Sequence, residues 1–351
     1  MVIPVSYMGM TPITKGTTME QQRKAGVGIN PGHGYVKVAL LVDGHEPQTV
    51  TLPALVVEAQ RQVLGALKRI EPVLVGGMAW WVGEDALLAS AARTAMTQER
   101  LRDEFFIPAL VKAALRQFMG NGALVEQCLQ HAVCVTGLPS SWSLDNELAS
   151  ALVQRLRAAG PLGQIKVIPE PLGLVYSALL NNEGEVVGDD ALRSGRVAVV
   201  DLGHNTVDVA TLNRMAPEPQ GLATYQLGTV HPLSAVQQRV TAVFEVEKSL
   251  YEIDQAMRRG SITVAGSEET LPAGCEALLH ENGRRIATRL GEAWGKGNQF
   301  NAILIGGGGA ELPALVEAIQ ATFKHARVVP YAQLAVALGY ARLARYVGKR
   351  A

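Results

Sequence analysis

The chain has 351 residues, of which 48% are hydrophobic and 18% charged, enough for one large core or two smaller ones. Its 32 basic side chains equal its 32 acidic ones, which argues against a broad basic face for nucleic acid and favours self-association. Three cysteines without CxxC spacing argue against a zinc site or disulfide framework and fit a reducing cytoplasm, and no apolar run approaches the ~20 residues of a membrane span.

The first 23 residues carry basic side chains but no central apolar segment, so they read as a flexible arm rather than a secretion signal. "AGVGINPGHGYVKVALLVDG" reads as a strand, a glycine turn and a second strand, with imperfect alternation over Val36 to Leu41. "QTVTLPALVVEA" and "EPVLVGGMAWWVGEDAL" continue as strands and loops, with Trp80 and Trp81 read as a buried aromatic pair, an interface being the alternative. "TQERLRDEFFIPALVKAALRQFMG" has the spacing of one helix ending at Gly120. "HAVCVTGLPSSW" is a buried strand, and "SLDNELASALVQRLRAAG" a helix with Ser143 as its candidate cap. "IKVIPEPLGLVYSALL" is a strand followed by a helix that proline can start.

The polar, glycine-rich residues 181–195 form a natural boundary. Beyond it, "GRVAVVDLGHNTVDVATLN" is again strand, turn and strand. A helical pair, or one helix and a short follower, comes next over 231–260. The stretch from Cys275 reads as mostly helix, interrupted near Asn282-Gly283. "FNAILIGGGGAELPALVEAIQATF" is a strand, a four-glycine loop and a helix, and a last strand and closing helix end the chain.

The two strand-turn-strand segments are echoes. "NPGHGYVKVALL" and "DLGHNTVDVATL" share six of twelve positions, and their starts lie half a chain apart (201 − 30 = 171). A glycine-rich hairpin tip presents backbone N–H groups and binds anions, phosphate above all. Gly32, Gly34 and Gly203 allow backbone torsions and close approaches that a side chain would block, and Asn205 and Thr206 add hydrogen-bonding groups. Two such tips facing each other would grip a polyphosphate from both sides. Asp201 and Asp208 lie seven apart, which on one straight strand puts them on opposite faces. A turn between them returns both to one cleft, where one or two carboxylates can hold a hydrated Mg²⁺. Gly306, Gly307, Gly308 and Gly309 suit a nucleotide's ribose, base or phosphate; no GxxxxGK[ST] loop occurs. One such hairpin is usually only a hairpin; two, with the glycine loop, point to nucleotide chemistry.

In this order the motifs resemble the actin-like ATPase superfamily, within it most the ParM-type and archaeal actin-like filament proteins. "NPGHGYVK" and "DLGHNTVD" are similar to the two phosphate hairpins, "IPEPLGLVYSAL" and "PYAQLAVALGYARLA" to the connecting helices, and "AILIGGGGAEL" to the adenosine loop. The resemblance covers residues 27 to 347. It implies an α/β, duplicated, ribonuclease H-like fold with two lobes around a nucleotide cleft. The division is an arm at 1–23, lobe I at 24–185, lobe II at 196–330, and a helix at 331–351 returning to lobe I.

The resemblance also implies roles. Asp201 holds Mg²⁺ mainly through water, with Asp208 and Asn30 beside it, and Glu170 orients the attacking water. Gly32, His33, Gly34, Tyr35, Lys37, Gly203, His204, Asn205 and Thr206 meet the phosphates. Asn30 departs from the family, which usually has aspartate there; an amide brings no charge to a magnesium-bound water. The implied function is a cytoplasmic hydrolase of ATP, with GTP as the alternative, forming head-to-tail filaments that segregate plasmid or other DNA cargo through a DNA-binding adaptor. Neither direct nucleic-acid nor membrane contact is expected. The rival readings are a small-molecule kinase of the same superfamily and a nucleotide-gated scaffold with little turnover.

Overall fold

The computed structural model describes residues 25–59, 71–87, 98–118, 123–188 and 190–350. The expected arm at 1–23 and Gly120 lie outside them. The chain divides into two compact units, Met1–Val187 with Val336–Ala351, and Gly188–Ala335.

The first unit is built on β1 (Gly26–Pro31), β2 (Tyr35–Leu41) and β3 (Gln48–Pro53). A small sheet of β4 (Val56–Glu58), β5 (Val73–Val75) and β6 (Met78–Val82) follows. After four described helical segments, Glu84–Leu87, Glu99–Arg102, Phe106–Phe118 and Ala123–His131, come β7 (Val133–Leu138) and β8 (Ile165–Pro169), giving a main sheet in the order β3-β2-β1-β7-β8. β1 and β2 are antiparallel, β1 and β7 parallel. Every residue from Val36 to Val42 is buried, so both sheet faces are covered, which explains the imperfect alternation of β2.

The second unit opens with β9 (Arg196–Leu202), β10 (Val207–Asn213), β11 (Ala216–Pro217) and β12 (Ala223–Tyr225). A hairpin of β13 (Ser261–Val264) and β14 (Ser267–Thr270) stands apart, and β15 (Ala302–Gly306) and β16 (Ala326–Val328) complete the main sheet. Its order is β11-β10-β9-β15-β16, with β12 also on β10. Both main sheets therefore follow one plan: an antiparallel hairpin first, then two parallel strands on the side of the hairpin's first strand. The echo in sequence is a duplication of architecture.

Three local expectations are corrected. Residues 98–118 form two helices, Glu99–Arg102 and Phe106–Phe118. Between them Asp103 Oδ1 accepts from the amides of Phe105 (2.8 Å) and Phe106 (2.9 Å), starting the second helix afresh. The Asn146–Ala159 helix is capped by Asp145, which accepts from Glu147 N and Leu148 N, whereas the Ser143 hydroxyl donates to Ser140 O. The Cys275–Trp294 helix runs unbroken through Asn282-Gly283. A Cβ at Gly283 would stand 2.7 Å from Ala318 Cβ, so this glycine lets the Pro313–Thr322 helix approach. Beside it, Asn282 Nδ2 donates to Leu227 O (3.0 Å).

Trp80 is buried and stacks on Phe105 at 5.5 Å, while Trp81, its neighbour on β6, is half-buried; adjacent residues of a strand face opposite ways. Cys128, Cys134 and Cys275 are buried free thiols, and burial pushes Cys134 up to about 12, out of reach of thiolate chemistry at neutral pH. Among the described residues no helix is long and apolar enough to cross a membrane.

The closing helix, Ala335–Gly348, lies across the first unit at backbone distance. A Cβ at Gly26 would overlap Ala341 O, and one at Gly28 would overlap Ala337 O. The helix meets the Leu172–Leu179 helix where Gly173 and Gly339 face each other, and a Cβ at Gly339 would overlap Gly173 O. Arg345 pairs with Asp43, and its Nη1 donates to Asn182 O (2.9 Å), fixing the helix's far end.

Candidate nucleotide-binding site

The two echoed hairpins have the same register. Pro31 pairs with Val36 and Leu202 with Val207, so each turn spans four residues. A Cβ at Gly32 would stand 2.7 Å from Tyr35 O, and one at Gly203 would stand 2.8 Å from Thr206 O. Both glycines are needed because the turn closes on itself; neither is among the residues with positive φ. Of the two reasons expected, torsion and close approach, close approach is the one that holds at Gly32 and Gly203.

One step below each turn stands a cross-strand pair. In the first hairpin Asn30 faces Lys37; in the second Asp201 faces Asp208. All four are buried, at 3%, 8%, 5% and 3% exposure, so none is a surface charge placed by chance. Cross-strand partners project from the same face of the sheet, which removes the objection that residues seven apart diverge. Asp208 is held by two hydroxyls: Thr206 Oγ1 donates to Oδ2 (2.7 Å) and Thr224 Oγ1 to Oδ1 (2.6 Å).

The second turn is anchored from behind. The amides of Gly228, Thr229 and Val230 donate to the carbonyls of Asn205 (3.2 Å), Gly203 (3.1 Å) and His204 (2.8 Å). They lead into the Val230–Phe244 helix. His204 Nδ1 lies 3.4 Å from Thr229 Oγ1. In the first hairpin Gly34 O accepts from Ala54 N (2.9 Å), Tyr35 pairs with Pro53, and the His33 ring meets Trp142 edge-on at 6.1 Å.

The glycine loop meets Asp201. Gly306 is its parallel partner across β15 and β9. Gly307 has φ +85°, and a Cβ there would overlap Asp201 Oδ1 and stand 2.7 Å from Leu202 O. Gly307 N donates to Ala332 O (2.9 Å), and Gly308 begins a short 3-10 turn before the Pro313–Thr322 helix. Gly309 lies against Leu202 and Thr229.

The sequence reading missed the residue that fixes this loop. Arg258 Nη2 donates to Gly308 O (2.9 Å), while its Nε and Nη2 fork onto Asp254 at 3.0 and 3.1 Å. The i, i+4 spacing of Asp254 and Arg258 was visible; the loop at the far end of the guanidinium was not.

In the first unit Glu170 lies between β8 and the Leu172–Leu179 helix. Its amide donates to Leu138 O (2.7 Å), and its carbonyl accepts from Gly173 N and from the Tyr340 hydroxyl, both at 3.1 Å.

Within the second unit the structure thus brings together Asp201, Asp208, Thr206 and the glycine loop, and within the first Asn30 and Lys37. Among the described residues no group of three or more His, Cys, Asp or Glu forms a metal cage. A two-carboxylate set with a bare glycine edge against Asp201 suits Mg²⁺, which keeps its waters and takes remaining ligands from phosphate. The residues present therefore fit a magnesium nucleotide.

A duplicated sheet with a close-turned hairpin at the head of each copy defines the actin-like class of proteins. The model of the actin-like protein N-terminal domain matches residues 28–173, and that of the archaeal MreB-like actin homologue C-terminal domain matches 199–318. The chain belongs to the actin-like superfamily. Among solved structures, a 15-stranded ParM filament from Clostridium botulinum superimposes with TM-score 0.68 at 18% identity, over 93% of this chain and 99% of that one. Ta0583, an archaeal actin homolog in complex with ADP, gives TM-score 0.68 at 18% identity, over 93% and 99%. Bacillus thuringiensis ParM with AMPPNP gives 0.59 at 12%, again over 93% and 99%. At these identities the likeness shows the fold. The search of curated proteins finds no match.

Proposed function

We propose that the chain is an actin-like NTPase that binds Mg-ATP, assembles head-to-tail into filaments and releases them after hydrolysis. The observation that carries this reading is the repeated hairpin, with Asn30 and Lys37 in one copy and Asp201 and Asp208 in the other. Relatives of the same fold are a filament and complexes with ADP and AMPPNP, which supports an adenine nucleotide as ligand.

In this reading each turn meets phosphate oxygens of the nucleotide. Asp201 would hold magnesium-bound waters, with Asp208, oriented by its threonines, opposite it, and the Asn30 amide would serve a bound water from the first hairpin. Magnesium, when bound, neutralises charge on the phosphates. Lys37 adds positive charge to the first hairpin, where a phosphate oxygen is the natural partner. Glu170 orients the attacking water, and because phosphoryl transfer has a loose transition state, positioning is most of what a protein can add. Gly306–Gly309 receive the nucleoside. Non-closing head-to-tail contact gives a filament, and the cargo in this reading is a plasmid or other DNA, engaged through an adaptor.

Electron microscopy and sedimentation of the purified chain with ATP, GTP and no nucleotide, with and without Mg²⁺, test the reading. Filaments that need nucleotide are expected. A protein that stays monomeric under every condition while transferring phosphate to a small acceptor is a kinase instead.

A further inference from the structure

Tyr340 has no part in the reading above, yet three separate elements give up a side chain to seat it. It is fully buried on the closing helix. A Cβ at Gly28 of β1 would stand 2.9 Å from Tyr340 Cβ, one at Gly173 would stand 2.9 Å from Cε1, and one at Gly137 of β7 would overlap the phenolic oxygen. Phenylalanine would fill the same slot. The hydroxyl adds a bond, Oη to Glu170 O at 3.1 Å.

That bond falls between two elements rather than within one. Glu170 lies outside both flanking elements, after Pro169 closes β8 and before the helix begins at Leu172. Prolines at 169 and 171 flank it and contribute no amide hydrogens, so local backbone bonding cannot clamp the segment from those positions. On the residue's own backbone, the amide donates to Leu138 O, and the carbonyl accepts from Gly173 N and from Tyr340 Oη. Two come from neighbouring backbone; the third comes from a side chain 170 positions away in sequence.

We propose that Tyr340 is a positioning residue for Glu170: its hydroxyl fixes the peptide from which the water-orienting carboxylate projects. The inference rests on Glu170 having that role. Side-chain aim follows backbone placement, and small misplacements of a reacting group cost far more rate than binding. A buried tyrosine hydroxyl usually finds some partner, so the test must separate aim from mere satisfaction.

Four full-length proteins are compared with Mg-ATP: the parent, Glu170→Ala, Tyr340→Phe and the double variant. Turnover of phosphate is followed beside binding of a fluorescent ATP analogue. Glu170→Ala is expected to abolish most hydrolysis. Tyr340→Phe is expected to lower kcat by about five- to tenfold, the equivalent of one neutral hydrogen bond, with analogue affinity within about twofold of the parent. In the Glu170→Ala background, Tyr340→Phe should cost nothing further, because the carboxylate it aims is gone. Gly137→Ala, which crowds the phenol while keeping its hydroxyl, should reproduce the kcat loss. If Glu170→Ala hydrolyses normally, the role of Glu170 fails and the proposal with it. If Glu170→Ala is impaired but Tyr340→Phe turns over like the parent, or its cost persists in the double variant, the positioning role alone is overturned.

Discussion

Asp201 and Asp208 stand directly opposite each other on β9 and β10, and Asn30 and Lys37 stand opposite each other at the matching step of β1 and β2. One hairpin thus offers two carboxylates and its twin a cation and an amide. The duplication keeps geometry and divides chemistry: the acidic copy suits a metal's waters, the basic copy phosphate oxygens.

Replacing Asp201 by Asn keeps the side chain's shape against Gly307 and removes its charge. Magnesium-dependent ATP hydrolysis should fall by roughly two orders of magnitude, the scale of losing one preorganised electrostatic group in a site. Equal hydrolysis by variant and parent in the same buffer would remove Asp201 from the metal's shell.

Asn30→Asp supplies the charge that the family resemblance implies at this position. Phosphate release should speed up severalfold, because a magnesium-bound water is held better by a carboxylate than by an amide. An unchanged or slower rate counts against the argument from charge.

Thr224→Val removes the hydroxyl that donates to Asp208 Oδ1 while keeping the side chain's shape. Leaving a buried carboxylate short of a donor costs ~1–3 kcal/mol, so the thermal midpoint should drop by a few degrees, on the order of 2–4 °C per kcal/mol for units of this size. A midpoint that does not move shows Asp208 well satisfied without it.

Arg258→Lys keeps the charge but loses the fork that joins Asp254 to Gly308 O. Weaker binding of ATP and ADP alike is expected, by about tenfold, since the loop is fixed equally in either state. Loss confined to ATP would place Arg258 at the terminal phosphate and contradict a loop-anchoring role.

Glu218 is one contributor to acid stability. The Arg196 guanidinium, with Thr211 as a second donor, holds the Glu218 carboxyl below its usual range. Its folded-state pKa is depressed, so the stability it adds is complete above the ordinary glutamate value of about 4.3 and is lost as pH falls through the lowered one. Glu218→Gln should therefore melt lower than the parent at pH 7, with the gap narrowing below about pH 4. A gap that stays constant down to pH 3 would put the effect down to packing.

How much of this was legible in the sequence follows from the range of the interactions involved. The hairpins were visible because glycine turns and apolar strands are local signals. Their equivalence was visible because the chain repeats them. Asp145 was overlooked beside Ser143 because both are good caps, and only the path of the chain decides between them. Gly283 looked like a break because glycine weakens isolated helices; a neighbouring helix at Ala318 reverses its meaning. Arg258 and Gly308, fifty positions apart, meet only after folding.

The crossing of Gly173 and Gly339 bears on how such a chain diverges. A Cβ at Gly339 would meet the main chain of Gly173, and one at Gly173 the main chain of Val336, so a substitution at either is judged by volume alone, before any chemistry it carries can matter. Residues that recognise a nucleotide can be traded for others of similar polarity as specificity drifts. A missing side chain has no such substitute, and these silent positions are where a distant cousin of this protein should be sought.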